Sequence, residues 1–440
     1  MKRRVLYALL LALLAANLLL GARIYFYSAQ AAPASDNPYE NYKLLADVME
    51  KVRLEYVDGD KISYQELVHS ALKGMLGSLD PHSEYMDARR FEDLKNETEG
   101  EFGGIGIEVE VKDKFLTVVT PIDDSPGYRA GIRPMDQIIK INDRSTEKMG
   151  LDDAVGVLRG EPGTKVAITI HRPSTGETKK LELVRAIVKV PTVKDINDQQ
   201  KFPLGENSIG YVRISQFGEK TSDELRAALA LLTKEGMKAL ILDLRGNPGG
   251  LLDQAEHVCE QFLPSGQLIV STEGRGPTPK SEYHARGGSP RMDLPIVVLV
   301  NPGSASAAEI VAGCLQDEQQ FSHAIVVGEQ TFGKGSVQSI LPLGDGSALK
   351  LTTAKYYTPS HKVIHEHGIT PDIIVPHTPQ EDDDLRLKHQ AGALDLLDEK
   401  DRERIKNTQD RQLERAVDLL KGVLLYAQRT APAKVAAAAK

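Results

Sequence analysis
The stretch Asn301–Gln338, NPGSASAAEIVAGCLQDEQQFSHAIVVGEQTFGKGSVQ, decides how this chain is read. An apolar strand, Pro295–Val300 (PIVVLV), runs into it and breaks at Pro302-Gly303. A run of small residues centred on Ser306 follows. Next comes a helical pattern in which Ile310, Val311, Cys314 and Leu315 share one buried face. A second apolar strand, Ala324–Gly328, leads to Thr331-Phe332-Gly333-Lys334-Gly335. From Lys334 the pattern is again a strand, with Lys334, Ser336 and Gln338 on one face by the two-residue period.

These residue types make sense together as a nucleophile and its base. A serine hydroxyl attacks poorly until a neighbour removes its proton. A lysine can do so when burial beside apolar groups depresses its pKa. Ser306, on a sharp strand-to-helix turn, is expected at the positive end of a helix, with Gln338 aiming Lys334 at it. Other readings compete. Ser306 and Glu309 spell a capping box, which does no more than start a helix. Ser304 is a rival nucleophile or cap, and Lys334 between two glycines also fits a solvated turn. Gly328-x-x-x-x-Gly333-Lys334 nearly spells a phosphate-binding loop, but Gly335 stands where Ser or Thr should hold magnesium. Because SVQSILPL after it reads as a strand and not a helix, the nucleotide reading fails.

The segment resembles the catalytic core of the carboxyl-terminal processing proteases, the tail-specific serine peptidases of family S41. The resemblance rests on the small-residue run ending in Ser306-Ala307-Ala308-Glu309 and on Thr331-Phe332-Gly333-Lys334-Gly335 followed by Val337-Gln338. It implies Ser306 as nucleophile, Lys334 as general base and Gln338 as the residue orienting Lys334, and it selects Ser306 over Ser304. The Ser-to-Lys separation is a few residues longer than usual, through a polar insertion at 318–323 that should leave the pair undisturbed. The family needs neither metal nor nucleotide.

Upstream, Phe102–Arg185 forms a separate module. Phe102-Gly103-Gly104-Ile105-Gly106-Ile107 precedes two strands, then Ala130-Gly131-Ile132, Asp136-Gln137-Ile138, a helix at Leu151–Leu158 and a strand at Val166–His171. This order is similar to a PDZ domain. Such a domain adds a peptide as a strand and captures its terminal carboxylate on the backbone N–H groups of a glycine-rich loop. Gly104 and Gly106 would admit the carboxylate, and Ile105 and Ile107 would line an apolar pocket for the last side chain.

From Ser208 strands and helices alternate: Ile209–Ile214, Thr221–Leu232, Ala239–Leu244, then Leu252–Phe262 after Arg245-Gly246-Asn247-Pro248-Gly249-Gly250. That order predicts a mostly parallel sheet with covering helices. The glycine turn supplies backbone donors for an oxyanion. The family likeness assigns them to the N–H groups of Gly250 and Ala307, with Gly249 as the alternative to Gly250. The fold expected is therefore an α/β multidomain chain, with a PDZ-like β-rich module inserted between an N-terminal helical region and an α/β peptidase core of the ClpP/crotonase type. The boundaries are 1–31 for a signal peptide or membrane anchor, 32–100 for the helical region, 101–186 for the PDZ module, 187–379 for the peptidase core and 380–440 for a linker and helical tail.

Composition limits the remaining choices. With 440 residues, 41% hydrophobic and 26% charged, the chain can hold two or three globular domains. A net charge of −8 without basic patches argues against nucleic acid. Cys259 and Cys314 lie in apolar helical patterns and read as buried thiols, and the histidines near His365 lack metal-ligand spacing. Lys2, Arg3 and Arg4 before the apolar run Val5–Ala22 direct the chain out of the cytoplasm. Arg23 and Tyr25-Phe26-Tyr27 incline the reading to a retained anchor in the inner membrane, with the bulk periplasmic or otherwise extracytoplasmic. Helical patterns at Tyr42–Tyr56 and Tyr64–Leu79 occupy the region where the family often dimerises. Gln380–Asp384 reads as an acidic linker, and Leu413, Val417, Leu420 and Leu424 share one face of a tail helix. Two functions remain: a serine endopeptidase that binds protein C-termini, or a non-catalytic PDZ scaffold on a peptidase-like fold.

Overall fold
The computed structural model describes residues 38–430 apart from 113, 123, 276–279, 288–293, 318–323, 390–393 and 395–396. The segment at 1–31, the insertion at 318–323 and the alanine-rich end at 431–440 therefore lie outside the described residues. The chain divides into two compact units, up to Met75 and from Leu76 onward. The first holds the helix Pro38–Glu55, which buries no residue, and most of the helix Tyr64–Gly77.

In the second unit, strands Ile107–Lys112, Phe115–Pro121, Gln137–Ile141, Lys165–Arg172 and Glu177–Val184 pair in that order, antiparallel throughout. The last of them was not apparent from the sequence. Val118, Ile138, Ile141, Ile168 and Ile170 fill the core with Ala154 and Leu158 of the helix Leu151–Leu158. Asp136 ties the module's turn together by accepting from Arg172 Nη2 at 2.7 Å and from the Arg133 amide at 2.9 Å. Strand Ile107–Lys112 is an edge of this sheet, and the helix Leu151–Leu158 packs against it.

The larger core is a six-stranded sheet ordered Val193–Lys194, Ile209–Ile214, Ala239–Asp243, Ile296–Val300, Ala324–Gly328, Ile373–Ile374. All pairings are parallel except the first. Period-two alternation sends Leu240, Leu242, Val298 and Val300 to one face and Ala239, Ile241, Val297 and Leu299 to the other. Both faces are covered, which is why these strands read as unbroken apolar runs. Helices Thr221–Lys234, Leu252–Glu260 and Ala307–Gln316 share the first face, and Ala416 and Leu420 of the helix Arg411–Thr430 cover the second. The tail helix thus packs on the core through the face its leucines predict.

Two expectations need correction. The helix Ala307–Gln316 is buried from Ala307 to Leu315 and not along one stripe, because the helix Leu252–Glu260 and the strand Leu268–Gly274 flank it as well as the parallel sheet. Gln380–Asp384 is no linker but part of the helix Pro379–His389. Thr378 and Glu381 cap that helix reciprocally, and Asp384 is buried where Arg404 Nε and Thr408 Oγ1 bond it. A second sheet, built on the long strand Ala348–Tyr357, carries Ser336–Pro342 on one side and Glu84–Met86 and Leu268–Gly274 as further partners.

Candidate active site
Three loops meet at Ser306. Strand Ile296–Val300 ends at Asn301, whose side-chain oxygen accepts from the Gly303 and Gly246 amides and so joins the serine loop to the Arg245–Gly250 turn. The Ala305 amide donates to the Asn247 carbonyl at 2.9 Å, and the Phe332 amide to the Ser304 carbonyl at 3.0 Å. The nucleophile candidate, the glycine turn and the lysine loop are thereby tied backbone to backbone.

Ser306 caps the helix Ala307–Gln316 with φ +53° and ψ −115°, a conformation that a side-chain-bearing residue adopts only under constraint. It remains 8% exposed. Ser304 is fully buried, its hydroxyl donating to the Leu244 carbonyl at 2.8 Å and accepting from the Asn301 amide at 3.0 Å. That hydroxyl is committed to holding the loop, so the geometry favours Ser306 of the two.

The helix's Glu309 is the hub of the site. One carboxylate oxygen accepts from the Ser306 amide at 2.8 Å and from the Lys334 amide at 2.9 Å. The other accepts from Thr331 Oγ1 at 2.5 Å and from the Gly333 amide at 2.7 Å. Two amides sharing one oxygen lie within about 6 Å of each other, so the serine and lysine segments converge. Burial pushes the Glu309 carboxyl above its usual range, while its four donors act in the opposite direction. Lys334 is half-buried, and burial first, then the positive charge of Lys350, hold its amine below the ordinary lysine value against the pull of Glu309. No hydrogen bond joins Ser306 Oγ directly to Lys334 Nζ among the described residues.

The strand bearing Gln338 begins at Ser336, with a bulge between Val337 and Gln338, so Lys334 itself belongs to the preceding turn. Gln338 Nε2 donates to Ser336 Oγ at 2.8 Å and Thr352 Oγ1 at 3.4 Å, and not to Lys334. Thr352 in turn meets Ser83, whose hydroxyl donates to Asp80 at 2.8 Å. The Asp80-Pro81-His82-Ser83 break thus reaches Gln338 from a position more than 250 residues earlier in the chain, a contact that no local pattern announces.

The glycine turn separates its two candidates. Gly249 N–H donates to Asn247 Oδ1 at 2.8 Å and is therefore occupied. Gly250 faces Phe217 in a parallel bridge that uses the Gly249 carbonyl and the Leu251 amide, leaving its own N–H without a partner among the described residues. Ala307, first residue of its helix, likewise has no intrahelical acceptor for its N–H. Both glycines need positive φ, and a Cβ on Gly249 would lie 2.7 Å from that of Ser306.

In the β-rich module, Gly106 has φ +68° and its carbonyl accepts from Ser125 Oγ and the Ile122 amide. Ile105 is 2% exposed inside the module's own core, while Ile107 packs at its margin. Gly104 pairs with Ala186 in a short two-stranded ladder. Of the four residues expected to hold a peptide, Ile107 stands on the open edge strand and Ile105 is buried in the core.

Comparison with known proteins decides the family. Residues 208–375 match the model of Peptidase family S41, and residues 117–172 match a PDZ domain. A carboxy-terminal-processing protease of Bartonella bacilliformis is 45% identical over 348 residues, covering 78% of this chain and 77% of its own length. The chain belongs to peptidase family S41. The carboxy-terminal processing protease CtpA of Bacillus subtilis is 38% identical, with 78% of this chain and 70% of that protein covered. Among solved structures, a photosystem II D1 C-terminal processing protease is 29% identical, covering 74% of this chain and 85% of that one at a TM-score of 0.43. This S41 protease is thus a mixed helix-and-sheet protein with its PDZ domain ahead of the peptidase core.

Proposed function
We propose that this S41 protease is an exported serine endopeptidase that takes hold of protein C-termini through its PDZ domain and cuts the chain with Ser306 and Lys334. The observation that carries the reading is the convergence of the strained Ser306 and the half-buried Lys334 on one carboxylate oxygen. An uncharged Lys334 amine removes the Ser306 proton as Oγ attacks the scissile carbonyl carbon. The resulting oxyanion takes the unspent N–H groups of Gly250 and Ala307, which are fixed before the charge develops. Lys334 returns the proton to the leaving amine, then activates the water that hydrolyses the acyl-enzyme ester. The alcohol–amine contact tightens when substrate excludes water, as apo contacts at catalytic pairs commonly do.

The open edge at Ile107–Lys112 beside the helix Leu151–Leu158 suits addition of an extended C-terminus as a further strand. The basic and apolar N-terminal sequence supports export and attachment to the inner membrane, and the exposed apolar residues of Pro38–Glu55 support a homodimer. None of the helices among the described residues is long and apolar enough to cross a membrane.

The test uses an unfolded protein ending in apolar residues, beside the same protein with an aspartate end. The native enzyme should cleave the first faster. Ser306→Ala and Lys334→Ala should each abolish cleavage while peptide binding persists. Cleavage surviving in Ser306→Ala would overturn the assignment, and binding without cleavage in the native protein would make it a scaffold.

A further inference from the structure
We propose that Glu309 is a positioning residue for the reaction: its ionised, fully buried carboxylate bonds the serine loop to the Lys334 segment itself and holds the two at reacting distance. The inference rests on the Ser306–Lys334 reading above. A capping box needs only the bond to the Ser306 amide. Glu309 makes that bond and then uses its remaining acceptor capacity on the other loop, through Thr331 Oγ1, the Gly333 amide and the Lys334 amide.

The donor set also favours the ionised form. An ionised carboxylate offers about four lone-pair sites and no proton. Three of its partners are amides, which only donate. The fourth, Thr331 Oγ1, accepts from the Ile369 amide at 2.7 Å and keeps its own proton to donate to Glu309. A protonated Glu309 would turn its own hydroxyl toward donors. The anion therefore stays, beneath a lysine that must lose its charge to react.

This arrangement gives Glu309 two opposed effects on Lys334. It holds the lysine backbone in place and, by its charge, favours the ammonium. The other charged or titratable groups facing that amine are Lys350 on the strand Ala348–Tyr357 and His82 in the turn before Glu84–Met86. Glu309→Gln keeps one carbonyl oxygen but presents an NH₂ to one donor pair, so the two loops separate and the anion is lost together.

The experiment measures kcat, KM and the pH profile of kcat/KM for full-length native enzyme and Glu309→Gln on one peptide substrate, with Ser306→Ala beside them. Glu309→Gln should lower kcat about 10²-fold with KM nearly unchanged, the scale of loss when reacting groups move by about 1 Å. Its acid limb should move to lower pH, because a lysine without its anion gives up its proton more readily. Wild-type kcat, or a reduced kcat with an unmoved acid limb, overturns the proposal. If Glu309→Gln fails to fold, Thr331→Val carries the test, since it withdraws one donor from the same carboxylate. It should lose kcat about tenfold at constant KM, and native turnover there overturns the proposal equally. Native enzyme that does not cleave, or Ser306→Ala that does, would count against the dyad itself and not against Glu309.

Discussion

At the scale of single residues, the site balances charges around one amine. In the proposed mechanism Lys334 has to be neutral when it meets Ser306, and burial is the first cause that lowers its pKa, with Lys350 adding to it. Lys350 is itself paired with Glu84 at 3.6 Å, which fixes where its side chain lies. Replacing it by methionine removes the repulsion that helps Lys334 lose its proton. The acid limb of kcat/KM should then move to higher pH, opposite in sign to the shift expected of Glu309→Gln, and a pH-rate series would show it. Ser304→Ala leaves the Asn301 amide without its partner and the Leu244 carbonyl with the Asn247 amide alone. A cost of about 1–3 kcal/mol in urea unfolding is expected, with acyl-enzyme formation retained. Ser306 and Lys334 stand out as candidates in the sequence because each sits in a distinctive local pattern. The role of Glu309 was half legible: S-x-x-E announces the cap, but nothing local says that the same carboxylate reaches residues 331–334.

Elements carry the next level of argument. The turn Arg245–Gly250 touches the serine loop so closely that side chains are excluded, and Gly249 at φ +101° has the Ser306 Cβ in the place of its own. Gly249→Ala should fold but displace Ser306, reducing turnover about 10²-fold, as a steady-state assay would show. In the PDZ domain, a Cβ on Gly106 would come within 2.2 Å of the Ser125 side chain. Gly106→Ala should therefore weaken binding of an apolar C-terminal peptide, measured by fluorescence anisotropy, while a small activated ester is still hydrolysed. The central strands were readable because burial on both faces leaves only apolar residues to read. The helix at Pro379–His389 was not, since its charges look solvated until Arg404 and Thr408 are found around Asp384. Gln338 shows the same limit. Its partner Thr352 lies across a strand pair whose register a bulge alters, and period-two counting from Lys334 passes over that irregularity.

Over the whole molecule, the C-terminal helix is structural and not an appendage. Arg245 is bonded by Asp243 beside it and by Asp410 and Gln412 at the start of the helix Arg411–Thr430. Burial alone would raise the Asp243 carboxyl, but the Arg245 charge and its hydrogen bonds outweigh that and hold it below its usual range. With the folded pKa below the unfolded one, this contribution to stability is present at neutral pH and lost as pH falls through the folded value. Arg245→Met should cost about 3–5 kcal/mol in urea unfolding at neutral pH, because it leaves buried Asp243 unpaired. The difference from native should shrink on acidification.

The same arginine sets a schedule for synthesis. Its acceptors Asp410 and Gln412 follow the whole Ser306–Gln338 segment along the chain, while the turn it anchors carries the Gly250 amide proposed for the oxyanion. A chain without Asp410 and Gln412 should therefore hold the candidate nucleophile and base beside an unanchored turn. Stalled chains released after residue 407 should resist a fluorophosphonate probe that marks the finished enzyme.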